Sequence, residues 1–188
     1  MPLNKDDLRN NWKRQWSQFA PQFPNWSLAI TEHIAQTSEF TTAKFITIFH
    51  PRPFEVDLLS LWKLKPTQVL FPRVDAKANK ISFFKVDALS DLKPSKMRIM
   101  EPPPSTSHEV SQFGSSDLIL IPGMVFDEKG GRIGSGAGYY DRFLAKDAAQ
   151  ARKYGVAFSP QVQKQKIPQE SFDIRMDALV TEKGIIYF

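Results

Sequence analysis

Cysteine is absent from the 188 residues, and with it go disulfide, thiolate and zinc-thiolate chemistry. Long apolar runs are missing too. None approaches the roughly 20 residues that a bilayer-crossing helix needs, so no membrane partner is expected. The N-terminal stretch MPLNKDDLRNNW is polar and has no apolar segment of the secretory type, which makes a cytoplasmic protein the expectation. There is no internal repeat, no low-complexity tract, and neither a polybasic block nor the aromatic-basic signature of a common RNA-binding module. Nucleic acid therefore receives no specific support as a partner. Glycine is scarce, at nine residues, and its placement is uneven.

What is present is ordinary in amount: 41% hydrophobic and 24% charged residues, in a chain long enough for one sizeable core and short for two. One domain over residues 1–188 is expected. The excess of 25 Lys and Arg over 20 Asp and Glu, net +5, favours an anionic partner, and a small anionic ligand remains open.

Asn4 is placed to cap a helix starting at Lys5, with Asp6 and Asp7 in the first turn, where the helix dipole favours carboxylates. Leu8, Trp12, Trp16 and Phe19 recur at helical spacing, with Lys5, Arg9 and Lys13 in a neighbouring stripe that either holds phosphates or is a solvated face. Pro21 and Pro24 break the chain before a second helix, expected over about Asn25 to Ser38. Strands are read in AKFITIFH, TQVLFP, ISFFKV, SDLILIPG and YGVAF, and helices in Phe54–Leu64 and from about Tyr139 to Arg152. The C-terminal ALVTEKGIIYF reads as a hairpin turning at Lys183 and Gly184, and Pro102–Pro104 with Ser105–His108 as an irregular loop. Strands alternating with helices predict an α/β fold, a mainly parallel sheet covered on both faces.

The glycines concentrate in GGRIGSGAGYYDRF, where five of them (Gly130, Gly131, Gly134, Gly136 and Gly138) fall between the strongest strand and a helix. In open α/β sheets ligands bind beyond the carboxyl ends of the strands, and glycine-rich turns followed by a helix N-terminus point N–H groups at anions. The stretch matches neither the P-loop nor the dinucleotide fingerprint. A plain surface loop is the rival. The mixture favours a phosphate site: Arg132 offers a planar fork, Tyr139 and Tyr140 offer flat faces and hydroxyls, and Asp141 is an acid suited to magnesium.

DLILIPGMVFDEKGGRIGSGAGYYDRFL resembles the signature of the 5-formyltetrahydrofolate cyclo-ligases. In that signature a strand ending in Pro-Gly and a Phe-Asp pair precede an Arg-Leu-Gly-x-Gly-x-Gly-Tyr-Tyr-Asp loop; Ile133 stands here for the leucine. The likeness extends through Lys5-x-x-Leu8-Arg9, FEVD with Glu55, VLFPRV with Arg73, MRIMEP with Glu101, and VAFSPQVQKQKIP…FDIRMDALVTE. Ser135 and Ala137 stand where relatives often carry basic residues, and Trp12 and Trp16 lie in the N-terminal helix.

The resemblance implies a three-layer, Rossmann-like fold and a monomeric enzyme. Its expected reaction is the ATP- and Mg2+-dependent closure of 5-formyltetrahydrofolate to 5,10-methenyltetrahydrofolate, with release of ADP and phosphate. It implies catalytic roles for Lys5, Arg132 and Tyr140, and ATP contacts from Lys5, Arg9, Arg132, Ile133, Gly134, Ser135, Gly136, Ala137, Gly138, Tyr139 and Tyr140. Folate contacts would come from His50, Glu55 and Ser135 to Tyr139, and magnesium ligands from Asp141 and Asp173. The rival from another class is a non-catalytic domain of the same fold that binds nucleotide or RNA. A sugar-phosphate isomerase of similar architecture leaves the N-terminal cations unexplained.

Overall fold

The computed structural model of the chain describes residues 4–65, 67–95, 99–106 and 108–188. Met97 and Arg98 of the MRIMEP motif and Ser107 of the proline loop lie outside them. Helix α1 (Lys5–Phe19) starts where Asn4 predicts, in a capping box: the Asn4 side chain accepts from Asp7 N–H, and the Asp7 carboxylate accepts from Asn4 N–H. Leu8 and Trp12 are buried, Trp16 and Phe19 pack against the same core, and Lys13 is exposed.

Helix α2 (Phe23–Ala35) begins two residues before the expected start. Pro24 opens it rather than breaking the chain, because a proline in the first turn has no N–H to waste. It ends before Thr37, whose hydroxyl caps the short α3 (Ser38–Thr42). Of AKFITIFH only β1 (Ile46–Thr47) is paired in the sheet.

The predicted helix over 54–64 is confined to α4 (Leu59–Leu64). Upstream, Glu55 N–H bonds to Arg52 C=O, Asp57 N–H to the Ser27 hydroxyl, and Leu59 N–H to the Asp57 carboxylate. Those donors are thereby taken from a helical ladder.

Strands β2 (Val69–Asp75) and β3 (Lys80–Lys85) form a hairpin, β4 (Lys93–Pro94) pairs with β5 (Met100–Glu101), and β6 (Glu109–Val110) lies on β3. Next come β7 (Leu118–Pro122), β8 (Val125–Asp127), β9 (Arg132–Ile133), and α5 (Tyr139–Lys146). The chain closes with β10 (Arg152–Val156), β11 (Val162–Gln163), β12 (Ala178–Thr181) and β13 (Gly184–Tyr187). Helix α5 stops six residues before the expected Arg152, which instead starts β10. Ala148 and Ala151 pack into the core, and Asp147 C=O accepts from Phe113 N–H.

The main sheet has eight strands in the order β13-β12-β10-β7-β1-β2-β3-β6. Neighbours from β12 to β2 run parallel, and β13, β3 and β6 add antiparallel edges. Alternation along β7 explains its continuous apolar run. Leu118 and Leu120 join the core under α1 to α4, while Ile119 and Ile121 join the one under α5. The result is three layers, with β8, β9 and β11 as a separate small sheet leading into the glycine loop.

Candidate active site

A cleft of about 650 Å³ opens at the carboxyl ends of the parallel strands. It is bounded by the residues that follow β1 (Phe49, His50) and β7 (Pro122, Gly123), by α1, by the glycine loop, and by the turn over residues 168–173. Lys5, Arg9, His50, Glu55, Arg132, Ile133, Gly134, Ser135, Gly136, Ala137, Gly138, Tyr139, Tyr140, Asp141 and Asp173 all line it.

The glycine loop is built in two parts. Its first part is a hairpin turn organised by the buried Asp127, whose carboxylate accepts from Lys129, Gly131 and Ile167 N–H. A Cβ on Gly131 would stand 2.5 Å from Asp127 Oδ2, so this glycine serves the turn and no ligand. The second part is open: Gly136 has φ +110 and Gly138 φ +66, and the backbone N–H groups of residues 134–138 donate to no acceptor among the described residues. Exposed backbone donors at a helix N-terminus are what an anion requires.

Two cations of α1 line the cleft. Arg9 Nε donates to Gly134 C=O at 2.8 Å, so α1 is clamped to the loop through a residue of its cationic stripe. Lys5 Nζ is 2.5 Å from Asp173 Oδ2 and 3.1 Å from Glu170 Oε1, and lies over the Phe172 ring. Burial works against the Lys5 charge, but the hydrogen bonds and charges of Asp173 and Glu170 outweigh it and raise its pKa above the usual lysine value.

Arg132 is buried; its Nη2 donates to Asp141 Oδ1 at 2.8 Å and its Nη1 to Pro122 C=O. Its Nε has no hydrogen-bond partner among the described residues, and neither has the Tyr140 hydroxyl, although both atoms are buried. Burial pushes that hydroxyl above the usual tyrosine range, with the Glu55 charge adding to the shift and Arg132 and Arg52 opposing it. Tyr140 is thus a neutral donor, not a base. Two orphaned donors on one wall call for an acceptor from a ligand.

Glu55, also on the cleft lining, is held by a residue sequence reasoning missed. Arg52 gives Nε and Nη2 to Glu55 Oε1 and its backbone N–H to Oε2, and its guanidinium lies over Phe54. The available signal was the Arg-Pro-Phe-Glu spacing, which a tight turn folds into an ion pair. His50 lines the same cleft. Glu101 also lines the cleft and accepts from Val74 N–H, while Arg73 lies over Phe84 and donates to Pro103 C=O.

The donor set fits a magnesium ion. Asp141 Oδ1 accepts from Ile174 N–H at 3.5 Å, which sets the residue after Asp173 beside Asp141. On each of the two carboxylates one oxygen (Oδ2 of Asp141, Oδ1 of Asp173) has no hydrogen-bond partner among the described residues. Hard oxygens facing a phosphate site suit an ion that keeps most of its shell for water and phosphate.

Fold and site together define an α/β protein with a cleft at the carboxyl ends of its parallel strands, lined by an open glycine loop and by a carboxylate held in an ion pair. The chain belongs to the 5-formyltetrahydrofolate cyclo-ligase family, which it matches over residues 4–182. It is 32% identical to the mitochondrial 5-formyltetrahydrofolate cyclo-ligase of Arabidopsis thaliana over 130 residues, 61% of this chain and 47% of that one. To the 5-formyltetrahydrofolate cyclo-ligase of Mus musculus it is 28% identical over 167 residues, covering 83% and 82%. The NMR structure of Aquifex aeolicus 5,10-methenyltetrahydrofolate synthetase superposes with a TM-score of 0.82 at 30% identity, covering 97% of this chain and 92% of that one.

Proposed function

We propose that this chain closes 5-formyltetrahydrofolate to 5,10-methenyltetrahydrofolate at the expense of ATP, in the cytoplasm. The observation that carries the reading is the convergence in one cleft of Lys5, Arg9, the unpaired loop donors, Asp141, Asp173 and Glu55. The formyl oxygen is amide-like and a poor leaving group, which is why a phosphoryl donor is needed. It attacks the γ-phosphorus and ADP departs; N10 then attacks the activated formyl carbon and gives up its proton. The carbon–oxygen bond breaks with phosphate as the leaving group, leaving the five-membered methenyl ring.

The protein's work is alignment and charge neutralisation. Residues 134–138 hold phosphate oxygens with backbone N–H groups, and Lys5 and Arg9 flank them. Arg132 and the protonated Tyr140 hydroxyl donate to the oxygen on which charge develops. Glu55 accepts from the pterin N–H groups, and His50 and the loop hold the rest of the folate. Asp141 and Asp173 would hold a magnesium ion, which when bound would supply positive charge against the phosphates. A non-catalytic RNA-binding domain of the same fold would have no need of a magnesium acid beside a triphosphate loop. The test is absorbance in the methenyl band with 5-formyltetrahydrofolate, with and without Mg-ATP. Product is expected only with both ATP and magnesium, and product without ATP would sink the mechanism.

A further inference from the structure

Each carboxylate assigned to the metal is occupied by a cation assigned to the phosphates. Lys5 sits 2.5 Å from Asp173, whose side chain is 8% exposed, and Arg132 sits 2.8 Å from Asp141, with the Arg132 side chain 3% exposed. Asp173 is further fixed by Glu170 N–H at 2.7 Å, and Asp141 by Ile174 N–H. Pairs this sheltered are little screened by water or salt.

A triphosphate arriving without metal meets cations that are already neutralised and must break two ion pairs to reach them. Doing so leaves two carboxylates unpaired beside its own negative charge, a large penalty in a sheltered site. A triphosphate arriving with its metal satisfies both halves at once, the cations turning to phosphate and the carboxylates to the metal. We infer that Asp173 and Asp141 are specificity-determining residues: they select the metal-complexed triphosphate by holding Lys5 and Arg132 whenever no metal is present.

The inference rests on the ATP reading above and makes a prediction of opposite sign to a plain ligand role. Removing a metal ligand weakens Mg-ATP, yet here it should strengthen metal-free ATP. Calorimetric titration with ATP in EDTA should find that Asp173→Asn binds metal-free nucleotide tighter than wild type, on the order of fivefold or more. The same variant should bind Mg-ATP more weakly. In a Lys5→Met background Asp173→Asn should lose most of its gain, because the cation it releases is gone; this cycle separates release from general repulsion. Asp141→Asn gives a second measurement with the same expected sign, and thermal melts establish that each variant is folded. No gain in EDTA for either variant, or an equal gain with and without Lys5, overturns the inference. A wild type that binds no Mg-ATP overturns the ATP reading itself, and this inference with it.

Discussion

The glycine loop and the Glu55 turn solve opposite problems. At the glycine loop the backbone N–H groups of residues 134–138 have no partner among the described residues. At the Glu55 turn the carboxylate is already held by three donors of Arg52, so a ligand bringing donors must share or displace an ion pair. Exposed N–H groups on a loop can wait in water at little cost, whereas an almost buried carboxylate cannot stand alone, because desolvating an unpaired charge costs several kcal/mol. Donor-rich and acceptor-rich halves of one site therefore differ in how much they hold in reserve.

The comparison breaks most decisively at Gly136. Its neighbourhood has room for a side chain, the nearest atom to an added Cβ being Arg9 Cζ at 3.9 Å, but its φ of +110 does not suit a β-branched residue. Gly136→Val should redirect the unpaired N–H groups and lower kcat/KM for ATP by about 10²- to 10³-fold. A steady-state titration of each substrate decides it, and near-normal turnover would remove the loop from the phosphate role.

Next in size is Trp12→Ala. Trp12 is 3% exposed and seats α1, whose Arg9 clamps Gly134. The variant should lose on the order of 3 kcal/mol of stability in denaturant unfolding, and should weaken the phosphate end through a loosened helix while sparing the Glu55 end. Equal damage to both substrates' KM would mean that the helix supports the whole cleft.

Glu55→Gln sharpens the contrast from the other side. It should raise KM for 5-formyltetrahydrofolate by about tenfold, the loss expected for a charged hydrogen bond, and leave KM for ATP unchanged. A matching rise in KM for ATP would show that the ends are not separate.

The smallest effect concerns pH. The Lys5 pKa is raised above 10.5 in the folded protein, so its ion pairs contribute fully below that value. The contribution is lost as pH rises through the folded pKa. Wild type and Lys5→Met should therefore differ in stability by a constant amount from neutral pH to about pH 10 and converge above it. A difference already fading near pH 8 would contradict the raised pKa.

Much of this was legible from residue types. Asn4, Asp6 and Asp7 announced α1; five clustered glycines between a strand and a helix announced the open loop beside the cleft; and the unbroken apolar run of β7 announced a strand buried on both faces. These features were readable because they depend on local backbone chemistry and period. Where the chain left a helix was not readable. The alanines after Lys146 favour continuing α5, yet Ala148 and Ala151 are drawn into the core and Arg152 into β10.

Residue types thus announced what lines the cleft and in what order along the chain. Only the tertiary structure decided their partners: Lys5 with Asp173 across 168 residues, Arg9 with Gly134 across 125, and Arg52 with Glu55 around a tight turn. The physical reason is that periodicity and capping act over one or two turns of chain. A charge in a closed cleft instead takes whichever opposite charge the packed layers bring to it, and no local rule carries that information.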